Sequence, residues 1–170
     1  MGYVHDTAMS LFIPPTLVHF VSATALNTWV AGQKADTIVA HTSYVNETTL
    51  INIPIIVPSN SVALKGAYLK SIEIDYEVLA GEPTSIAFVI NKITRNVDGT
   101  PPTVDALPHT ATLTAATCKT VNEHRNVLTI TTPIWIKNTE EVLVEITRVA
   151  GAGANTFDVL GAFANYTIRI

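Results

Sequence analysis

The chain has 170 residues, a length that suits one domain and allows about 70% of the unfolded chain's surface to be buried. Hydrophobic residues make up 48% of the chain, which excludes a disordered protein because the apolar surface is ample to offset chain entropy. The net charge of −4, without a cluster of Lys or Arg, argues against a nucleic-acid partner. Charged residues contribute only 14%, below the roughly 25% of an ordinary soluble domain. The surface is therefore predicted to be unusually neutral or to be covered by another molecule.

Residues 1–15 are predicted to form an apolar N-terminal arm, followed by one domain over residues 16–170. Three large apolar side chains in the arm precede two prolines, which cannot continue a helix or an interior strand. Two interpretations are open: an edge strand docked on its own domain, or an arm that reaches a neighbouring subunit. On the second interpretation the candidate interface residues are Leu11, Phe12, Ile13, Pro14 and Pro15.

The same region lacks the basic start and the sustained apolar run of a signal peptide. No window reaches the roughly 18 apolar residues that a membrane-spanning helix needs. The sequence therefore predicts no membrane partner.

Three segments at the start of the domain are typical of β-strands. Residues 17–30 and 37–43 are rich in β-branched side chains and are separated by a turn-like patch. In residues 49–58 isoleucine and valine recur at every second position, but Pro54 and Pro58 lack the N–H group that an interior strand donates. This third segment is predicted to be an edge strand or to contain a bulge.

The stretch Tyr68–Arg95 is predicted to be a central β-hairpin. In YLKSIEIDYEV the apolar residues from Ile72 to Val78 alternate with polar ones, the pattern of a strand with one buried face. A turn over residues 79–83, which contains glycine and proline, then leads to SIAFVINKIT, where the alternation resumes.

Residues 96–110 break the alternation and are predicted to form a long exposed loop, because they contain Asp-Gly and Pro-Pro pairs. Long loops in compact domains are commonly functional. This loop therefore supplies further candidate interface residues, namely Asp98, Pro101, Pro102 and Leu107.

The rest of the chain is predicted to contain a short strand over residues 111–117, a polar turn over 119–126 and three longer strands. The total of about eight to ten strands, without a helical repeat, predicts an all-β fold. Short connections favour an antiparallel two-sheet β-sandwich, jelly-roll-like in its connections. The longer strands cover 127–136, with an interruption at Pro133, 141–150 and 157–170.

An acidic cluster lies on one face of the predicted strand that follows Tyr68. Consecutive members, Glu73, Asp75 and Glu77, have Cα atoms roughly 6.6 to 7 Å apart. This spacing does not close three carboxylates around one Ca²⁺ ion, but Glu73 and Asp75 fall in the range of an inverting glycosidase pair. A solvated or subunit-facing strand is the favoured interpretation, because a general acid also needs an apolar pocket.

Other signatures of catalysis are missing from the sequence. No nucleophile-elbow, dinucleotide-binding or phosphate-loop motif occurs, and the five histidines lack the spacing of zinc ligands. Cys118, at the end of a predicted strand, has the features of an inert thiol. The sequence therefore predicts no enzyme activity, no catalytic residue, no cofactor and no metal site.

Four aromatic residues could instead line a sugar-binding face, since flat rings stack on pyranose rings. Aromatic residues make up only 7% of the chain, so packing in the core and at interfaces is their favoured use. Recognition of a glycan by Trp29 or Trp135, together with the loop over 98–109, is kept as an alternative. The four residues are Trp29, Tyr68, Tyr76 and Trp135.

The order of the motifs carries a resemblance to a known family. The run GAYLKSIEIDYEV, within Lys65–Val78, precedes a proline-containing turn, a strand ending in ITR, a VDGTPP loop, and the strands VLTITTPIWI and VLVEITRVA. This order resembles a family of small β-rich structural proteins of tailed bacteriophages, over most of the chain from about Thr37 onward. These motifs are strand patterns, so no site residue carries over from the family.

The resemblance implies a virion component, a cement (head decoration) protein. Such a protein is made in the host cytoplasm and sits as a homotrimer on the capsid exterior, where its partners are the major capsid protein and its own copies. Contact area buried across capsid seams would stabilise the shell. The low charge and the apolar arm are compatible with obligate interfaces, which are depleted in charge. The alternative is a glycan- or receptor-binding module of a phage tail fibre or baseplate.

Overall fold

The computed structural model describes residues 5–22, 30–31, 40–44, 48–60, 66–152 and 155–169. Within these ranges twelve strands form two sheets, every strand pair is antiparallel, and one shared hydrophobic core joins the sheets. The predicted all-β, two-sheet sandwich is therefore confirmed. No helix in these ranges has the length and apolar character needed to span a membrane.

The larger sheet has seven strands in the described part of the chain, in the order β3-β4-β12-β6-β10-β9, and β1 pairs with β12 next to β4. The central position predicted for β6 is confirmed, since it lies between β12 and β10. The strands are β1 (Asp6–Ile13), β3 (Val30–Ala31), β4 (Ala40–Tyr44), β6 (Gly66–Ala80), β9 (His109–Ala111), β10 (Asn122–Trp135) and β12 (Asn155–Arg169).

The smaller sheet has the order β2-β5-β11-β7-β8. Its strands are β2 (His19–Ser22), β5 (Thr48–Ile55), β7 (Ser85–Thr94), β8 (Thr103–Leu107) and β11 (Glu140–Val149). Consecutive described strands lie in opposite sheets at every step along the chain except β3 to β4, β7 to β8 and β9 to β10. This alternation gives the sandwich its jelly-roll-like character.

The core lies between the sheets and is built from every second residue of the long strands, as the period-two pattern predicted. Arg148 is also fully buried, with its guanidinium carbon 6.0 Å from the centre of the Phe157 ring, and burial lowers its pKa to about 10. The main apolar members are Ile51, Ile53, Ile55, Ile72, Ile74, Tyr76, Val78, Ile90, Leu128, Val142, Val144, Ile146 and Phe157.

The predicted hairpin over Tyr68–Arg95 was wrong. β6 and β7 are both strands, but they belong to opposite sheets, and the turn after Ala80, with Gly81 at a φ of +68°, carries the chain across the core. Alternation shows that each strand buries one face. It does not distinguish two strands that pair side by side from two strands that pack face to face.

The two-proline strand β5 is an interior strand at its start and an edge strand at its end. Residues 49–52 pair with both β2 and β11, whereas Pro54 lies beyond the end of β2 and pairs only with β11, opposite Leu143. The missing N–H of Pro54 therefore costs no ladder bond on its free side. The predicted edge position holds for the second half of the strand alone.

Two predictions between residues 96 and 126 were also incomplete. The predicted loop contains β8 and β9, and Pro108 lies between them where the chain moves from the smaller sheet to the larger. The predicted strand over 111–117 forms turns after Ala111, because Thr114 and Thr117 bond to each other's backbone N–H through their hydroxyls. β10 begins at Asn122, inside the predicted polar turn.

The stretch predicted to be an N-terminal arm contains β1, which runs along β12 from Asp6 opposite Arg169 to Ile13 opposite Ala162. Ile13 is buried in the core of its own domain. This pairing corresponds to the first of the two interpretations, an edge strand docked on its own domain. The predicted strands over 17–30 and 37–43 lie partly outside the described residues, and β2, β3 and β4 are their described parts.

Gly161 of β12 lies against Phe12 of β1, next to the last paired position of the two strands. Its φ is +140°, and a Cβ atom placed there would lie 2.6 Å from Cε2 of Phe12, whose ring covers it. Phe12 also packs on Phe163, with ring centres 5.0 Å apart. A residue without a side chain is therefore needed for β1 to dock.

We expect Gly161→Ala to lower the free energy of unfolding by about 1–3 kcal/mol, through backbone strain and the contact with Phe12. Urea denaturation followed by far-UV circular dichroism measures the change. Gly99→Ala is the control, because Gly99 has a φ of +80° but nothing within 4 Å of the added Cβ. An equal loss in both variants would contradict the packing role given to Gly161.

Candidate functional site

The candidate site lies on the outer face of the larger sheet, where the chain exposes an aromatic pair. Tyr68 of β6 and Trp135 of β10 are directly opposite each other, with ring centres 4.8 Å apart. Both are partly exposed. They line a depression of about 340 Å³, here called the aromatic depression, whose other lining residues are Asp6, Ala8, Lys70, Thr167 and Arg169.

A break in the ladder creates the aromatic pair. Thr129 pairs with Ser71, and an uninterrupted register would place Thr132 opposite Tyr68. The irregularity between Thr129 and Ile134 instead brings Trp135 to that position. Pro133, which lacks an N–H to donate, lies within this irregular segment, as the predicted interruption indicated.

An ion pair closes one side of the aromatic depression. Arg169 donates from Nε to Oδ1 of Asp6 at 2.9 Å and from Nη2 to Oδ2 at 3.2 Å. Its guanidinium carbon lies 5.2 Å from the centre of the Trp135 ring, within the range of a cation–π contact. The hydrogen bond from Arg169 lowers the pKa of Asp6 below its ordinary value, and the same bond raises the pKa of Arg169. The side chains of three strands are thereby fixed around Trp135.

Thr167 supplies a polar atom without a partner. Its side chain is buried, it lines the aromatic depression, and its Oγ1 has no hydrogen-bond partner among the residues that the structure describes. A buried hydroxyl without a partner is costly, and because the oxygen itself is buried this is a cost to stability and not a contact open to a ligand.

A second depression of about 420 Å³ continues from the first along β6 and shares Ala8 and Lys70 with it. The two depressions together are here called the outer groove. A third, of about 270 Å³, lies further along β6 at Asp75 and Arg125. The second depression is lined by Ala8, Met9, Ser10, Lys70, Ser71, Glu73, Asn165 and Tyr166.

Two members of the acidic cluster, Glu73 and Asp75, are bound by neighbours across the sheet. Arg125 donates from Nε and Nη2 to the two carboxylate oxygens of Asp75, each at 2.7 Å, and its Nη1 lies 3.8 Å from Oε2 of Glu73. Asn165 donates to Oε1 of Glu73 at 2.8 Å. Neither carboxylate lies in an apolar pocket of the kind that a glycosidase acid needs. In the described ranges no group of three or more His, Cys, Asp or Glu residues could hold a metal ion.

Cys118 lies away from the outer groove, in the turns before β10. The hydroxyl of buried Tyr76 donates to the carbonyl oxygen of Cys118 at 2.6 Å, and burial raises the pKa of the Cys118 thiol. Few thiolates form under such conditions, which agrees with the interpretation of an inert thiol. Tyr76, one of the four aromatic candidates, is thus a core residue.

The other candidates from the sequence are dispersed. Trp29 lies outside the described residues. Leu11 and Phe12 are exposed on β1, and Pro14 and Pro15 are half-buried where the 3-10 turn Pro15–Leu17 begins.

The candidates from the 96–110 segment lie next to the smaller sheet and do not line the outer groove. Asp98 accepts hydrogen bonds at Oδ1 from the backbone N and Oγ1 of Thr100, while Pro101 and Pro102 are exposed. Leu107 packs against the core. Of the residues proposed as glycan contacts, the structure therefore places Trp135, with its neighbour Tyr68, in a depression.

No protein-family model and no curated protein matches the chain. Among solved structures it is similar to TmCBM61 in complex with β-1,4-galactotriose, at 8% identity and a TM-score of 0.44, over 92% of this chain and 91% of that chain. It is also similar to a family 11 carbohydrate-binding module from Clostridium thermocellum, at 7% identity and a TM-score of 0.45, over 91% and 94%.

A third similar structure belongs to the carbohydrate-binding modules of the β-sandwich superfamily, at 11% identity and a TM-score of 0.42. The match covers 97% of this chain but 56% of that chain, so the present chain spans about half of its length. These likenesses concern the β-sandwich architecture.

We expect NMR titration to find the pKa of Asp6 below 3.8, and Arg169→Gln to return it to its ordinary value. Because the folded-state pKa is depressed, the stabilising effect of the pair is complete above the unfolded-state pKa and is lost as the pH falls through the folded-state value. Asp98 is the control, since its pKa is lowered by Thr100 and not by Arg169. An unchanged Asp6 titration in Arg169→Gln would refute the pairing.

Proposed function

We propose that the protein is a glycan-binding β-sandwich module that holds a saccharide on the outer face of its larger sheet. The observation that carries this proposal is the cross-strand pair of Tyr68 and Trp135 lining a depression on the outer face of the larger sheet. Flat rings offer apolar contact to the C–H face of a pyranose at a low cost in side-chain entropy.

Polar groups around the rings complement the hydroxyl groups of a sugar. Asp6 and Arg169 are held by their ion pair, so little conformational freedom is lost when a ligand contacts them. A few fixed polar groups beside an apolar surface are typical of small-molecule sites.

The length of the outer groove supports an oligosaccharide rather than a single sugar. Tyr68 in the aromatic depression and Glu73 in the second depression are five residues apart on β6, which corresponds to about 16 Å along the strand. Several sugar rings could lie in a row over that distance. Tyr68 and Trp135 would contact one of them, and Asn165 and Ser71 would offer amide and hydroxyl groups to the others.

Tryptophan fluorescence tests the proposal, because Trp29 and Trp135 are the two tryptophans of the chain. A Trp29→Phe variant leaves Trp135 as the reporter, and oligosaccharides selected on a glycan array are expected to change its emission on titration. Tyr68→Ala, followed by the same emission, and Trp135→Leu, followed by isothermal titration calorimetry because it removes the reporter, should each weaken binding about tenfold through lost ring contact.

Val104→Ala is the control, since Val104 is an exposed residue of the smaller sheet. Circular dichroism of each variant separates a loss of binding from a loss of fold. An array without any bound saccharide, or equal affinity in the wild type and the ring variants, would refute the proposed function.

A second candidate function is the structural role in a virion that the phage resemblance implies, with the major capsid protein and further copies of this chain as partners. Exposed apolar side chains on an edge strand favour it: Met9, Leu11 and Phe12 are 43%, 37% and 49% exposed on β1. In the described residues β1 pairs with a strand on one side only, so its other edge is available for association.

Native mass spectrometry tests the assembly. We expect a homotrimer that dissociates to monomers in Leu11→Lys, because a buried contact would then contain a charge. Val104→Lys, a charge on an exposed strand of the other sheet, should leave the trimer intact. A wild-type chain that stays monomeric at the highest concentration would count against this role and would leave the glycan proposal unaffected.

A further inference from the structure

The charged side chains along the outer groove differ in whether they have a hydrogen-bond partner within the sheet. Asp6 is bound by both ends of the Arg169 guanidinium, while Glu73 is held by Asn165 and lies next to Arg125. Every carboxylate that lines the outer groove therefore has a donor of its own within the sheet. A ligand does not need to bring a cation to satisfy them.

Lys70 is the exception. It is exposed on β6 and lines both depressions, so it lies where they join. Among the residues that the structure describes, its ammonium group has no hydrogen bond and no ion pair within 4 Å, although its charge also contributes to the lowered pKa of Asp6. The aromatic depression thus contains two cations, Arg169 and Lys70, and one carboxylate, Asp6, and carries a net positive charge.

We infer, resting on the proposed function, that the glycan is acidic and that an anionic group on one of its sugars lies against Lys70. The shared chemistry is an anionic oxygen group on a pyranose ring, supplied by the carboxylate of a uronic acid or by a sulfate ester. An exposed ammonium without a hydrogen bond or close ion pair, in a depression with a net positive charge and next to two aromatic rings, favours a ligand that combines a ring face with a negative charge. Lys70 would thus determine the selectivity for acidic over neutral glycans, because ring contact and hydroxyl bonding would serve neutral sugars equally well.

The expected preference is modest, since Lys70 is exposed and water screens the pair. Exposed ion pairs are worth a factor of about two to five in affinity. The preference should also shrink as salt is raised, because the Debye length falls from about 30 Å at 0.01 M to about 3 Å at 1 M.

Matched oligosaccharides provide the test, on the folded full chain. Galacturonic acid tetramer and sulfated galactan tetramer are compared with neutral galactose tetramer by isothermal titration calorimetry at low and high salt. At least one acidic ligand should bind about two- to fivefold more tightly than the neutral one at low salt, and the difference should disappear in Lys70→Gln. Whichever acidic ligand shows the preference identifies the source of the charge.

Lys119→Gln is the matched control, because it makes the same charge change at a residue that bonds to Thr84 O and does not line the outer groove. Equal binding of acidic and neutral tetramers overturns the inference and leaves the proposed function standing. An acidic preference that persists in Lys70→Gln also overturns it, since the charge is then recognised elsewhere. If no saccharide binds at all, the proposed function itself fails.

Discussion

The antiparallel pairing of β12 with β1 and β6 is the constraint on which the candidate site depends. It places Asp6, near the start of the chain, opposite Arg169, near its end, and it places Thr167 opposite Tyr68. Because Gly161 has no side chain, the Phe12 ring can lie against it and β1 can pair alongside β12. Without this pairing the aromatic depression would lose one wall, because Asp6 and Ala8 both come from β1.

The two faces of the larger sheet follow from one alternating pattern. The inner side chains of β6 pack in the core, and the alternation places the side chains between them on the outer face, where they are not needed for core packing. A slip of one residue would expose Ile72 and bury Glu73, and for that reason the register is strongly specified. The position of an outer-face side chain is therefore fixed by the packing of the core. The side chain itself can be substituted without disturbing that packing.

The sequence was sufficient for the fold class and for strands whose alternation is long, such as residues 141–150. It was insufficient for strand partners: the central hairpin was predicted because alternation does not distinguish neighbours in one sheet from strands in facing sheets. The site was only partly predictable. Trp135 was a candidate by residue type, whereas Asp6 and Arg169 are 163 residues apart and meet only through strand pairing. The lack of a hydrogen bond or close ion pair at Lys70 can likewise be recognised only in the structure, where the partners of the other charged side chains are known.

The two candidate functions draw on different residues of the same strand. Asp6 and Ala8 of β1 line the aromatic depression, whereas Met9 lines the second depression alone and Leu11 lines neither. A neighbouring subunit that covers Met9 and Leu11 would therefore leave the aromatic depression open. Contact with a sugar at the aromatic depression and assembly through Met9 and Leu11 are consequently compatible in one molecule. An assembled protein would present several aromatic depressions, so that weak individual contacts would add up through multivalency.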